Sequence, residues 1–147
     1  MTFFYAILAA SIAQSIKFIS YMIFNKSVDF RVLTTTGGMP SSHSAAVVSL
    51  STAVGLINGW DSVAFAIAVG YALIVMQDAA GLRRASGKMA VCLNKIMDDF
   101  YKHDALSAGE KLKEMLGHTP FEVFAGAIFG CLFSYFIHFY FIPHFFN

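Results

Sequence analysis

Two apolar runs in this sequence are each long enough to cross a lipid bilayer, and they constrain the fold more than any other feature. They extend from Thr2 to Phe24 and from Phe121 to Ile142. A helix needs about 20 apolar residues to cross the hydrocarbon core. The chain is 57% hydrophobic and only 13% charged, outside the range usual for soluble domains. We therefore expect an integral membrane protein whose 147 residues form a single domain.

Two shorter apolar runs, Ala45 to Ile57 and Val63 to Met76, supply two more helices. Extending the first back to Ser41 and the second on to Gln77 brings both close to the length of a span. The segment Asn58-Gly59-Trp60-Asp61 between them is a turn signal. The expected fold is therefore an all-α integral membrane helical bundle with about four transmembrane helices.

The stretch from Asp78 to Gly117 is polar but remains helix-prone. Gly87 to Tyr101 places apolar residues at helical spacing, and a second segment opens with the capping box Ser107 to Glu110. We expect one or two amphipathic interfacial helices here.

With four spans, the stretches Asn25 to Pro40 and Asp78 to His118 fall on the same side of the membrane. All 10 lysines and arginines belong to that side, and the positive-inside rule makes it cytoplasmic. The net charge of +1 is too small and too scattered for a nucleic-acid partner. Cys92 and Cys131 are far apart and form no ligand-spaced cluster, so neither a disulfide framework nor a zinc site is indicated. We expect no cofactor and no metal.

The segment Gly37-Gly38-Met39-Pro40-Ser41-Ser42-His43-Ser44 directly precedes an apolar helix. Glycines let the backbone turn sharply, and the first amides of a helix offer donors to an anion. Alternatively, Ser41 or Ser42 is only a helix N-cap. His43 favours a functional site, because an ionisable ring in a membrane helix is costly unless it faces a polar cavity.

A second candidate segment contains His118, with Glu122 four residues later. The carboxylate could hold one ring nitrogen and raise the basicity of the other. The competing interpretation is structural, since Thr119 to Glu122 is a capping box in which Glu122 only satisfies a backbone amide. Asp78 precedes Arg83 and Arg84. Its carboxylate could form a structural ion pair with one of these arginines, or it could orient a phosphate-binding arginine.

Three segments together resemble a known family. Pro40-Ser41-Ser42-His43 is similar to the second signature of the type 2 phosphatidic acid phosphatase (PAP2) superfamily, and His118 followed by a carboxylate is similar to the end of its third. GGMPSSHSA, DAAGLRRASGK and LGHTPFEVFAG, in this order, resemble the divergent branch of short membrane proteins within it. The resemblance extends from Gln14 to Gly130.

The resemblance implies a metal-independent membrane phosphatase acting on a lipid phosphomonoester, of the phosphatidic acid, phosphatidylglycerophosphate or polyprenyl phosphate type. His118 would form a phosphohistidine intermediate, Glu122 would orient it, and His43 would protonate the leaving oxygen. The implied phosphate-binding residues are Lys17, Arg31, Ser41, Ser42, Arg83 and Arg84, with Asp78 in a structural or orienting role.

The cation positions depart from the superfamily pattern. Lys17 and Arg31 are farther apart than in its first signature, and Leu112 stands where its third signature carries an arginine. Arg83 or Arg84 would therefore have to supply that charge from another part of the chain.

Two other functions are compatible with the sequence. The chain could be a non-catalytic membrane protein that retains the pocket to bind anionic lipid or a partner. An ion pathway lined by His43, Asp78 and His118 fits less well, because these residues cluster at one face. A bacterial inner membrane is the expected location, with the active face cytoplasmic, and assembly as a homo-oligomer is left open.

Overall fold

The structure, a computed structural model, describes residues 2–30, 38–100, 112, 117–141 and 143. Within these residues all regular secondary structure is helical, which confirms the predicted all-α class. Two short π-helical turns, Asp78–Leu82 and Ile137–Phe141, follow α3 and α5. In chain order the helices are α1 (Thr2–Asn25), α2 (Ser42–Asn58), α3 (Val63–Gln77), α4 (Arg83–Phe100) and α5 (Pro120–Phe136).

Helix α2 lies at the centre of the bundle and packs against α1, α3 and α5. Most of its buried residues are small, which lets helix backbones approach closely in a membrane. Ser49 shows the result, because its Oγ donates to the Tyr5 carbonyl at 3.2 Å and lies 2.7 Å from Ser134 Oγ. Hydrogen bonds between side chains and backbone thus link α1, α2 and α5 inside the bundle.

Helix α5 meets α2 at two glycines. A Cβ at Gly126 would lie 2.4 Å from the Ser41 carbonyl oxygen, and one at Gly130 would lie 2.3 Å from the Ala45 carbonyl oxygen. The two glycines are four residues apart and therefore share one face of α5. This backbone contact, which any larger residue would obstruct, holds the first half of α5 against the start of α2.

Three described segments are long and apolar enough to cross a membrane, namely Thr2–Asn25, Val63–Phe100 and Pro120–Phe141. Helix α2 has 17 residues and is about 26 Å long, slightly shorter than the roughly 30 Å hydrocarbon core. The predicted set of about four spans thus consists of three long helices and a shorter central one.

The helix predicted from Gly87 to Tyr101 begins earlier in the structure. Helix α3 continues through the π-helical turn Asp78–Leu82 directly into α4, which begins at Arg83. The intervening residues are mostly alanine, leucine and arginine, which favour helix over loop. The second predicted amphipathic segment, from Ser107, lies outside the described residues.

Candidate active site

The two candidate histidine segments meet where α2 and α5 begin. The backbone N–H of Ser41 donates to the carbonyl oxygen of Glu122 at 3.2 Å. Gly126 makes this possible, because its missing side chain leaves room for the Ser41 backbone. A direct backbone bond therefore joins the segment that carries His43 to the one that carries His118.

The rings of His43 and His118 face each other across this junction. Their centroids are 6.4 Å apart and their planes are inclined at 64°. His43 is exposed, whereas His118 is only 4% exposed. One imidazole is therefore buried and held in place while the other opens towards solvent.

Glu122 makes both of the contacts that the sequence suggested. Its Oε2 lies 3.2 Å from His118 Nδ1 and accepts the backbone N–H of Thr119 at 3.0 Å. Thr119 Oγ1 accepts the Glu122 N–H in return, which completes the predicted capping box at the start of α5. One carboxylate oxygen thus caps the helix and orients the imidazole, leaving His118 Nε2 for other partners.

The surroundings of His118 favour its neutral form. Burial lowers the pKa of the imidazole below its ordinary value. The hydrogen bond and charge of Glu122 oppose this effect on the pKa, and the positive charges of Lys17 and Arg83 reinforce it. A neutral ring with one nitrogen held by a carboxylate has its other nitrogen available as a nucleophile.

Lys17 brings a positive charge to the site from inside α1. It is 7% exposed and lies within electrostatic range of Glu122 and of both histidines. Its side chain passes against Gly38, where a Cβ would lie 3.0 Å from Lys17 Cε. Gly38 has a φ of 89°, a conformation that favours glycine. The glycine next to the Pro40-Ser41 segment therefore makes room for a buried cation.

Arg83 is one of the two arginines in the described part of the chain, and it forms an ion pair. Its Nε donates to Asp78 Oδ2 at 2.7 Å, the ion pair that the sequence suggested. Its charge acts on both His43 and His118. Arg84 contacts the site through its backbone, since a Cβ at Gly117 would lie 2.7 Å from the Arg84 nitrogen. Gly117 thus allows the backbone next to His118 to contact the start of α4 directly.

The remaining candidates occupy different positions. Ser41 is fully buried and caps α2, accepting the Ser44 N–H at 3.4 Å. Ser42, half-buried, is the first residue of α2. Arg31 lies outside the described residues. The N-cap interpretation is thus correct for Ser41, whose carbonyl and amide also form the contact with α5.

Sequence reasoning missed the residues that assemble the site, chiefly Gly117, Gly126 and Gly130. The signal for the last two was present, because small residues four apart on an apolar helix are typical of close helix contacts. Gly117 could have been noticed from its position next to His118, since glycine permits a close backbone approach.

Comparisons with known proteins show the family of the chain. The model of the Divergent PAP2 family matches residues 1–133. The chain is also similar to the membrane protein YuiD of Bacillus subtilis (strain 168), with 44% identity over 140 residues, covering 88% of this chain and 89% of the relative. No solved structure matches it. The match over most of the length, in a chain with membrane-spanning helices, shows that this protein belongs to the Divergent PAP2 family.

Proposed function

We propose that the protein is a membrane phosphatase that hydrolyses a lipid phosphomonoester through a phosphohistidine intermediate. The observation that carries the proposal is the arrangement of His118, fixed by Glu122 at Nδ1, with the His43 ring 6.4 Å away between centroids. A nucleophile with a dedicated orienting carboxylate, opposite a second titratable ring, is suited to displacement at phosphorus.

The reaction would proceed in two steps. His118 Nε2 attacks phosphorus, the bond from phosphorus to the ester oxygen breaks, and protonated His43 gives its proton to the departing alkoxide. Water then attacks the phosphohistidine, His43 accepts a proton from it, and the bond between phosphorus and Nε2 breaks to release phosphate. Both histidines return to their starting protonation states, so the cycle balances.

Two cations would stabilise the negative charge on the phosphoryl oxygens. Lys17 and Arg83 both lie within electrostatic range of the two histidines, and a phosphomonoester carries up to two negative charges near neutral pH. Fixed positive charges in a partly desolvated site act strongly on a developing anion. This charge balance favours a monoester over a diester.

A lipid is the favoured substrate because the site lies where membrane-spanning helices begin and end. Apolar side chains close to it in sequence are exposed, with Met39 at 48%, Leu82 at 72% and Phe121 at 69%. A headgroup could enter the polar site while its tails remain beside these side chains in the bilayer. The concentration of lysine and arginine on this side makes the cytoplasmic leaflet the proposed source.

The test is phosphate release by the protein purified in detergent, in excess EDTA. The substrates are phosphatidic acid, phosphatidylglycerophosphate and polyprenyl phosphate, with glycerol phosphate as the tail-free comparison. We expect turnover of at least one lipid, and its loss in His118→Ala. Phosphate binding without turnover of any substrate would contradict the proposal and favour a non-catalytic lipid-binding protein.

A further inference from the structure

The π-helical turn Asp78–Leu82 separates α3 from α4 immediately before Arg83. The backbone N–H of Arg83 bonds to the carbonyl oxygen of Asp78, five residues earlier. In a regular α-helix, residues five apart differ by about 140° around the axis. The wider turn brings them together, and isolated π turns of this kind occur frequently at functional sites.

The side chains of Asp78 and Arg83 form a hydrogen bond because the turn aligns them. Asp78 Oδ2 accepts Arg83 Nε at 2.7 Å, a short charge-assisted hydrogen bond. This bond engages only one of the three guanidinium nitrogens and fixes the orientation of the planar group. The terminal nitrogens, which can hold two phosphate oxygens, are not used in it.

Arg83 is also fixed relative to His118 through the backbone. A Cβ at Gly117 would lie 2.9 Å from the Arg83 carbonyl carbon and 3.0 Å from Arg83 Cβ. Gly117, which directly precedes His118, is therefore in close contact with Arg83, the arginine that Asp78 orients. Electrostatics agree with this placement, since the charge of Arg83 acts on both histidines and that of Asp78 acts on His43.

We propose that Asp78 is a positioning residue and that the π-helical turn sets the register in which it holds Arg83 towards a phosphate bound between His43 and His118. The inference rests on the proposed function and extends it. It assigns to Arg83 the charge that the sequence lacks at Leu112. Asp78 touches no reacting atom, and its effect on phosphate binding comes from the arginine that it holds.

The test is a double-mutant cycle on Asp78→Asn and Arg83→Ala, with two readouts. One is kcat and KM for the lipid substrate, and the other is the Kd of orthovanadate, a phosphate mimic whose binding needs no turnover. We expect Arg83→Ala to weaken vanadate binding roughly 100-fold and Asp78→Asn roughly 10-fold. Because Asp78 acts through Arg83, the double variant should match Arg83→Ala within about twofold.

Matched variants separate positioning from general charge and folding effects. Asp78→Glu keeps the charge and should recover part of the affinity lost in Asp78→Asn. Lys88→Ala and Asp61→Asn remove exposed charges elsewhere and should leave vanadate affinity unchanged. Inserting one alanine after Ala80 adds a further residue to the turn and rotates Arg83 by about 100° relative to Asp78, so a folded insertion variant should bind vanadate as weakly as Arg83→Ala.

Each result has a definite meaning. Additive effects in the cycle, or wild-type vanadate affinity in Asp78→Asn or in a folded insertion variant, would overturn this inference while leaving the phosphatase proposal intact. If the insertion variant does not fold, the double-mutant cycle decides. A wild-type protein that neither binds vanadate nor turns over any substrate would overturn the proposed function itself, and this inference with it.

Discussion

Ser41 donates its backbone N–H to the carbonyl oxygen of Glu122 at 3.2 Å, and this bond joins the two histidine segments. It places the cap of α2 beside the first turn of α5, and the centroids of the His43 and His118 rings lie 6.4 Å apart. Residues distant in the sequence thus form one site through a backbone contact that depends on Gly126.

The helix contact predicts a clear stability difference among glycines. Gly126→Ala and Gly130→Ala place a methyl group against a carbonyl oxygen of α2, so each should destabilise the protein by about 1–3 kcal/mol. Activity should fall as well, because α2 and α5 carry the two histidines. Gly70→Ala is the control, since a Cβ there meets nothing within 4 Å. Thermal unfolding in detergent measures the loss of stability in each variant. Equal melting temperatures for Gly70→Ala and Gly126→Ala would contradict the packing argument.

The role of His43 predicts a dependence on the leaving group. As a general acid it should contribute about 10²–10⁴-fold for an alkyl phosphate, whose alkoxide is a poor leaving group. His43→Ala should lose far less with p-nitrophenyl phosphate, because that phenolate departs without a proton. The measurement is the loss of kcat/KM in His43→Ala relative to the wild type, determined separately for the alkyl phosphate and for p-nitrophenyl phosphate. A uniform loss on both would show that His43 does not act as an acid.

Glu122 combines two functions that a substitution can separate. Glu122→Gln keeps an oxygen that can accept the Thr119 N–H, so stability should fall by no more than about 2 kcal/mol. The carboxylate on His118 Nδ1 is lost, and kcat should drop roughly 10²- to 10⁴-fold. Thr119→Ala serves as the comparison, since it removes only the cap. A Glu122→Gln variant with unaltered kcat would reduce Glu122 to a capping residue.

His118 also predicts how stability changes with pH. Burial, the main cause, lowers its pKa in the folded protein, so below the ordinary value of about 6.5 the unfolded chain binds more protons. Stability should therefore decrease as pH falls through that value and level off below the folded-state pKa. His118→Asn should show a shallower decrease over the same window. If the melting temperatures of the wild type and His118→Asn changed identically with pH, that would contradict a lowered pKa of His118.

The contact of His118 with Glu122 was predicted from the sequence because the two residues lie four apart at a helix start, whereas the pairing of His118 with the distant His43 was implied by the family resemblance. A helix cap at Ser41 or Ser42 and a capping box from Thr119 to Glu122 were likewise predicted from residues next to helix starts, and the structure places the first cap at Ser41. These are local features, decided within a few residues of chain.

The sequence could not decide whether Asp78 pairs with Arg83 or with Arg84, and the structure shows the pair with Arg83. Adjacent helical residues differ by about 100° around the axis, and a π-helical turn shifts that register without a distinctive composition. The contact of Gly126 with Ser41 likewise depends on how two helices pack, which a single sequence indicates only through small residues at suitable spacing.

The phosphohistidine itself tests the central claim most directly. The protein in detergent should be mixed with a ³²P-labelled lipid phosphate, quenched in alkali within one turnover, and digested for mass spectrometry. The account predicts an acid-labile, alkali-stable phosphoryl group on His118, absent in His118→Ala. Phosphate release by the wild-type protein without any label on His118 would contradict the account. So would an unchanged rate of phosphate release in His118→Ala.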